Sequence, residues 1–424
     1  MPDLGGLLMS STVDQEQRLR HKLPAGIVDA ALSSLGTFAA GLAAVRLLNP
    51  AELGIYSVIF SAFLVASLLP AEITYTPIQV SMIRLDAKER LGGIVHSLGK
   101  GLPPALLGCV LIMVAGGLIW WRSDHTAVIE LAITGVGLTV ISPIQDHLRR
   151  GLHIAEKSWD AALMSGAQLL AVVGALVIMQ LSEVAPAWAP LGSLVVANTV
   201  SLGFGLLLSR PAWHLRPTAP VVTVSGRWLA ASSVTAYGGT LVASVVMTLV
   251  VGPEIVGFAE AARVAAQPVL VVTTGVAAAL ASRHLRAAAT VDKAAAMMVN
   301  KSFFLVVAIA GISYLAIAGF AWSFNPVFAL IPSAYEIAWL IPVTILSNLV
   351  LSFTSPLRDQ LIASNREVPM AKIDFASLAI PTVVAATAGV TGAFARPLGI
   401  IGQNAFRTIR YRSIWRTAFA GNSE

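Results

Sequence analysis

The chain has 424 residues, 56% of them apolar and 12% charged, with a net charge of +6 and a mean hydropathy of +0.78. Soluble domains carry about 25% charged residues, so this composition excludes a soluble protein of this length. The single cysteine, Cys109, excludes a disulfide framework and a cysteine-based metal site.

Met1 to Lys22 is polar and shows no cleavable leader. Apolar runs then recur, each long enough to cross a hydrocarbon core of ~30 Å as a helix. Twelve are expected, over 25–47, 54–80, 102–121, 127–147, 160–181, 190–209, 228–250, 254–281, 302–323, 333–356, 373–390 and 393–410. The last is short and rich in arginine. The fold class expected is therefore all-α and polytopic, with about twelve transmembrane helices.

Alternate connectors hold the positive charge. With the N-terminus inside, 24 of the 28 Lys and Arg residues fall on inside segments; Arg46, Arg122, Arg263 and Arg396 are the exceptions. The positive-inside rule then places both termini in the cytoplasm. The basic balance reads as a topology signal, which leaves nucleic acid without support as a partner. Outside loops are too short for a folded extracellular domain.

The connector Arg210 to Arg227 has three prolines and separates six runs from six, giving expected units of 1–211 and 212–424. The units share features. "LLNPAELGIYSV" follows the first run and "LVVGPEIVGFAE" the seventh, with Pro50/Gly54 and Pro253/Gly257 at the same spacing. "RRGLHIAEK" and "RDQLIASNR" both read Arg-x-x-Leu and then a basic residue. The prolines are 203 positions apart and Arg149 and Arg358 are 209 apart, which supports a parallel duplication. Transporters are often built from such repeats, with the substrate path between them.

Charged residues inside spans are costly and mark function by default. In the eighth span Glu260, Arg263, Gln267 and Thr274 share one helical face, with Pro268 as a kink. The seventh carries Ser233, Tyr237, Thr240, Ser244 and Thr248; the first Asp29, Ser33 and Thr37; the second Glu72, Thr76 and Gln79. Spans three, five, nine and eleven show no comparable stripe. Three arrangements fit these faces: hydrogen bonding between packed helices, a structural Glu260–Arg263 salt bridge, or a wet cavity with Arg263 as its cation. No metal-ligand spacing, dinucleotide fingerprint or nucleotide-binding loop appears, so no catalytic residue or metal is expected.

"AVRLLNPAELGIYSVIFSAFLV" (Ala44 to Val65) and "VGPEIVGFAEAARVAAQPVL" (Val251 to Leu270) resemble corresponding segments of Wzx-like polysaccharide flippases. These belong to the multidrug/oligosaccharidyl-lipid/polysaccharide (MOP) exporter superfamily. "LHIAEK" and "LIASNR" are similar to that family's cytoplasmic turns. The match departs in the seventh span, where relatives commonly carry an Asp and this chain has Ala243 and Ser244. The resemblance implies a V-shaped pair of six-helix bundles with a cavity lined by helices one, two, seven and eight. It implies a bacterial cytoplasmic-membrane flippase, not an enzyme, whose cargo is a polyprenyl-diphosphate-linked oligosaccharide for cell-surface polysaccharide. Membrane lipids and polysaccharide-assembly proteins would be its partners. The substrate-binding candidates are Arg263, Gln267, Glu260, Arg46 and Tyr237, with Arg263 attracting the diphosphate and Glu260 modulating it. Asp29 and Glu72 are candidates for coupling to a proton or sodium gradient; no cofactor is expected. Two alternatives are an ion-coupled exporter of small molecules with the same fold and a polysaccharide polymerase or ligase. The short outside loops disfavour the second.

Overall fold

A computed structural model describes residues 4–82, 85–123, 126–215, 226–289, 292–320, 324–335 and 337–419. Most of the connector 210–227 lies outside the described residues, as do Arg84 and Arg216. The longer helices of the first half are α1 Leu4–Leu47, α2 Pro50–Pro70, α3 Thr76–Met82, α4 Ala87–Ser97, α5 Leu102–Ser123, α6 Ala127–Ile154, α7 Ser158–Leu181 and α8 Ala189–Ser209. The second half holds α9 Gly226–Val251, α10 Pro253–Ala289, α11 Lys293–Phe320, α12 Pro326–Ala329, α13 Leu340–Ser352, α14 Ser355–Ala363, α15 Glu367–Ser377, α16 Ala379–Ala386, α17 Ala388–Thr391 and α18 Ala395–Ala418.

Among the described residues, 11 stretches are long and apolar enough to cross a membrane, so the chain is an all-helical, multi-pass membrane protein. The twelfth expected run, 393–410, does form a helix, α18. Its five arginines keep it outside that set. Exposed Leu106, Met113, Leu170, Val306, Ile309 and Ile312 give α5, α7 and α11 apolar outer surfaces suited to lipid.

Local chemistry sets the ends of α2. Asn49 accepts a hydrogen bond from the backbone N–H of Glu52, and Glu52 Oε2 accepts one from the backbone N–H of Asn49. This reciprocal cap, with Pro50 in the first turn, is worth about 1 kcal/mol. At the far end, Ala71–Tyr75 forms a π-helical turn between Pro70 and Pro77, a device that re-aims a helix. The tenth span starts later than expected, at Leu340 instead of 333, because the described residues of 331–335 and 337–339 form turns and irregular backbone around Pro332.

In the first half α7 packs on α1 and α8, α6 on α8, and α2 on α5 and α6. In the second, α10 packs on α11 and α13, α9 on α15 and α16, and α18 on α13 and α16. α2 lies against both α9 and α10, α1 against α10, and α9 against α10, so the four helices expected to face a common path form one connected set. One apolar core runs through both halves, from Ala40 and Ile59 to Val264 and Leu349.

The crossing of α2 over α10 is close. A Cβ on Gly54 would run into the carbonyl oxygen of Pro253, and one on Gly257 into that of Pro50. Each glycine thus meets the other repeat's proline. Only a missing side chain allows backbones this near.

Candidate functional site

The α2–α10 crossing carries the eighth-span charges. Glu260 is fully buried, and Arg263, one turn on, reaches it with Nε at 2.8 Å and Nη2 at 2.7 Å from Oε1. A second arginine joins them from α18. Arg396 Nη1 lies 2.8 Å from Glu260 Oε2 and also donates to Ser57 Oγ at 2.8 Å. Ser57, on α2, donates to the same Oε2 at 2.9 Å. The Arg263 guanidinium lies over the Phe60 ring, 5.3 Å from its centroid. Side-chain exposure is 0% for Glu260, 19% for Arg263 and 4% for Arg396. Of the arrangements left open by the sequence, the Glu260–Arg263 bridge is present in this conformation, but with a third charged member. Two guanidinium groups face one carboxylate.

The other candidates sit apart. Gln267 is buried on α10 near Gly41 of α1, and its Oε1 has no partner among the described residues. Arg46 donates to the backbone oxygens of Leu330 and Ala329, a bridge from α1 to the loop after α12. Tyr237 is 50% exposed on α9. Among the described residues, neither Arg46 nor Tyr237 bonds to the Glu260 cluster.

Asp29 belongs to a different network. Its carboxylate takes Arg149 at 3.0 Å, His153 Nε2 at 2.8 Å and the Ser165 hydroxyl. Arg149 and Arg150 also hold Asp146, each at 2.6 Å. Beside this network is a cavity of about 240 Å³, lined by Ser33, Thr37, Gln145, Asp146, Gln168 and Asn198 among others. Glu72 accepts a hydrogen bond from Ser233 at 3.0 Å, with Arg358 3.9 Å away, so the π-helical turn after α2 is tied to α9 as α2 itself is tied to α10 at Ser57.

A further cluster carries no stripe in the sequence. Asp374 on α15 is fully buried and takes Arg407 Nε at 2.7 Å together with the hydroxyls of Ser232 and Tyr411. Arg149, Arg358 and Arg407, counted above as cytoplasmic charges, are therefore helix residues with acidic neighbours. Spans five and eleven, expected to be bland, supply Ser165 and Asp374. A signal was available in the repeat offsets. Ser57 and Glu260 are 203 apart, as are Asp29 and Ser232, while Ser165 and Asp374 are 209 apart. The Asp–Ser pair of one half recurs in the other with the two residue types exchanged.

A second cavity of about 980 Å³ lies in the second half near Phe258, Tyr335, Trp339 and Phe394. Among the described residues its lining has no charged side chain. Among the described residues no cluster of metal-ligating type is present.

No family model matches the chain, and no curated protein matches it in sequence. Solved structures do match its fold. A MATE transporter in its bent conformation aligns with a TM-score of 0.67 at 15% identity, covering 96% of this chain and 95% of that one. A MOP-superfamily transporter from Pyrococcus furiosus, described as having a binding pocket of reverse polarity, aligns at 0.65 and 12% identity over 96% of both chains. The eukaryotic MATE transporter AtDTX14 aligns at 0.63 and 13%, covering 96% of this chain and 98% of its own. The fold is that of MOP-superfamily transporters.

Proposed function

We propose, with that fold as the premise, that the chain moves a polyprenyl-diphosphate-linked oligosaccharide across the cytoplasmic membrane of a bacterium by alternating access. The observation that supports this cargo over a cationic one is the surplus of arginine at the α2–α10 crossing, where Arg263 and Arg396 outnumber Glu260. Guanidinium groups keep their charge at physiological pH and bind phosphate oxygens in pairs. Both arginines and Glu260 belong to the second half, so parting the halves would present a net positive wall to Phe60 and Ser57 of the first. By the positive-inside rule the Pro50/Pro253 end faces outward and both termini face the cytoplasm.

Delivery of lipid-linked glycan to the outer leaflet tests this reading. Arg263→Lys should retain partial delivery and Arg263→Gln should lose most of it, with both variants still inserted. If Arg263 serves only to neutralise Glu260, the double variant Glu260→Gln/Arg263→Gln should recover full delivery. That recovery would remove the phosphate-binding role.

An ion-coupled exporter of small molecules is the second reading, supported by Asp29, whose partner Arg149 lines the polar cavity, and by Glu72, bonded to α9 from the turn after α2. Under it, Glu72→Gln should abolish the dependence of transport on a proton or sodium gradient. Unchanged dependence would take Glu72 out of coupling.

A further inference from the structure

Glu260 is bonded from both halves at once. Oε1 takes Arg263 of its own helix, while Oε2 takes Arg396 of α18 and the Ser57 hydroxyl of α2. Ser57 is the counterpart of Glu260 in the duplication, 203 positions away. Such self-pairing is what an approximate two-fold axis through the crossing produces. The same offset relates Gly54 to Gly257 and Phe60 to Arg263, which also meet across the crossing, and Pro50 to Pro253, each of which meets the other repeat's glycine. Along this face of counterparts, charge appears only on α10: Ser57 faces Glu260, and Phe60 faces Arg263.

We propose that the Glu260 carboxylate is a tethered ligand that latches the Pro50/Pro253 end shut, and that an anion taking its arginines releases the latch. The proposal rests on the reading that Arg263 receives an anionic headgroup. The linkage follows from the partners. Arg396 Nη1, Ser57 Oγ and Glu260 Oε2 form a closed ring in which Arg396 donates to both oxygens and Ser57 donates to the carboxylate. An anion that draws Arg263 away leaves Oε1 unbonded at a fully buried position. A buried carboxylate that loses a partner must find water or another donor. From the Pro50/Pro253 end, water reaches it where the Gly54–Gly257 crossing parts, because the closed backbones there leave no room. Anion binding and closure of this end therefore oppose each other, and by reciprocity whatever opens the crossing strengthens anion binding. The carboxylate occupies the place of a phosphate until one arrives.

The full chain in lipid nanodiscs tests this, with Cys109 replaced by alanine and spin labels at Ser182→Cys and Val390→Cys. These exposed sites, one after α7 and one on α17, belong to opposite halves and are expected at the same end. Without ligand, the unaltered crossing should give one short distance. Ser57→Ala, which keeps every charge, and Glu260→Gln should each lower that population at least threefold. Undecaprenyl diphosphate added to the unaltered crossing should shift the distribution the same way. Gly54→Ala is the control that parts the crossing by steric force alone. If Gly54→Ala lengthens the distance while Ser57→Ala and Glu260→Gln do not, the latch is overturned and the contact is packing only. Ser57→Ala alone decides if Glu260→Gln fails to fold. Opening by both variants with no response to the diphosphate keeps the latch and rejects the anionic-headgroup reading.

Discussion

Arg407 shows how far a single residue can sit from its sequence-level meaning. Read along the chain, it is one of a run of arginines at the cytoplasmic end of the last helix. In the fold it is buried, bonded to Asp374 and Asn404, and close to Tyr411. Breaking a buried pair by removing one partner costs about 3–5 kcal/mol, because the remaining charge keeps its desolvation penalty. Asp374→Asn should therefore lower unfolding stability in detergent by that order, while Tyr411→Phe, which removes one hydroxyl, should cost about 1 kcal/mol. Equal losses in the two variants would mean that Asp374 gains little from Arg407. The Glu260–Arg263 pair was legible because residues three apart on a helix are neighbours. Arg396 was not, since it joins from 136 positions away and no motif surrounds it. Ser57 and Asp374 were hidden for another reason: a lone Ser or Asp in an apolar run forms no stripe.

At the scale of elements, helix existence was legible in the apolar runs, but not at α4 or the first turns of α1. Long apolar runs have few alternatives to a helix in lipid, where every backbone polar group needs an internal partner. Helix ends were less so. The late start of α13 depends on turns around Pro332, and α15 to α17 break where hydropathy continues. The shared Pro-x-x-x-Gly spacing carried the most structural information, since those residues build the α2–α10 crossing. Gly54→Ala or Gly257→Ala should lower the melting temperature of the purified protein by several degrees. Gly203→Ala, where a Cβ meets nothing within 4 Å, should leave it unchanged or slightly higher. A neutral result at Gly54 would mean that the two helices part easily.

For the whole molecule, orientation rests on the distribution of Lys and Arg among connectors, most of which the folded chain keeps exposed. Cysteines at Lys88 and Lys293 should react with an impermeant reagent only after cells are permeabilised, and one at Ser123 should react in intact cells. Labelling of Lys88 from outside would invert the topology and, with it, the face that the α2–α10 crossing closes.

That crossing also lies within an electric field. Two guanidinium groups against one carboxylate leave a net positive charge beside α10, a stretch apolar enough to span a membrane. A membrane potential of 100 mV does about 2.3 kcal/mol of work on one elementary charge carried across the whole layer, and proportionately less for a partial displacement. An inside-negative potential therefore pulls the empty site toward the cytoplasm. A monoanion at the arginines cancels that pull, and a diphosphate reverses its sign. On the proposed function, the voltage that returns the empty protein inward is the one that drives the loaded protein outward.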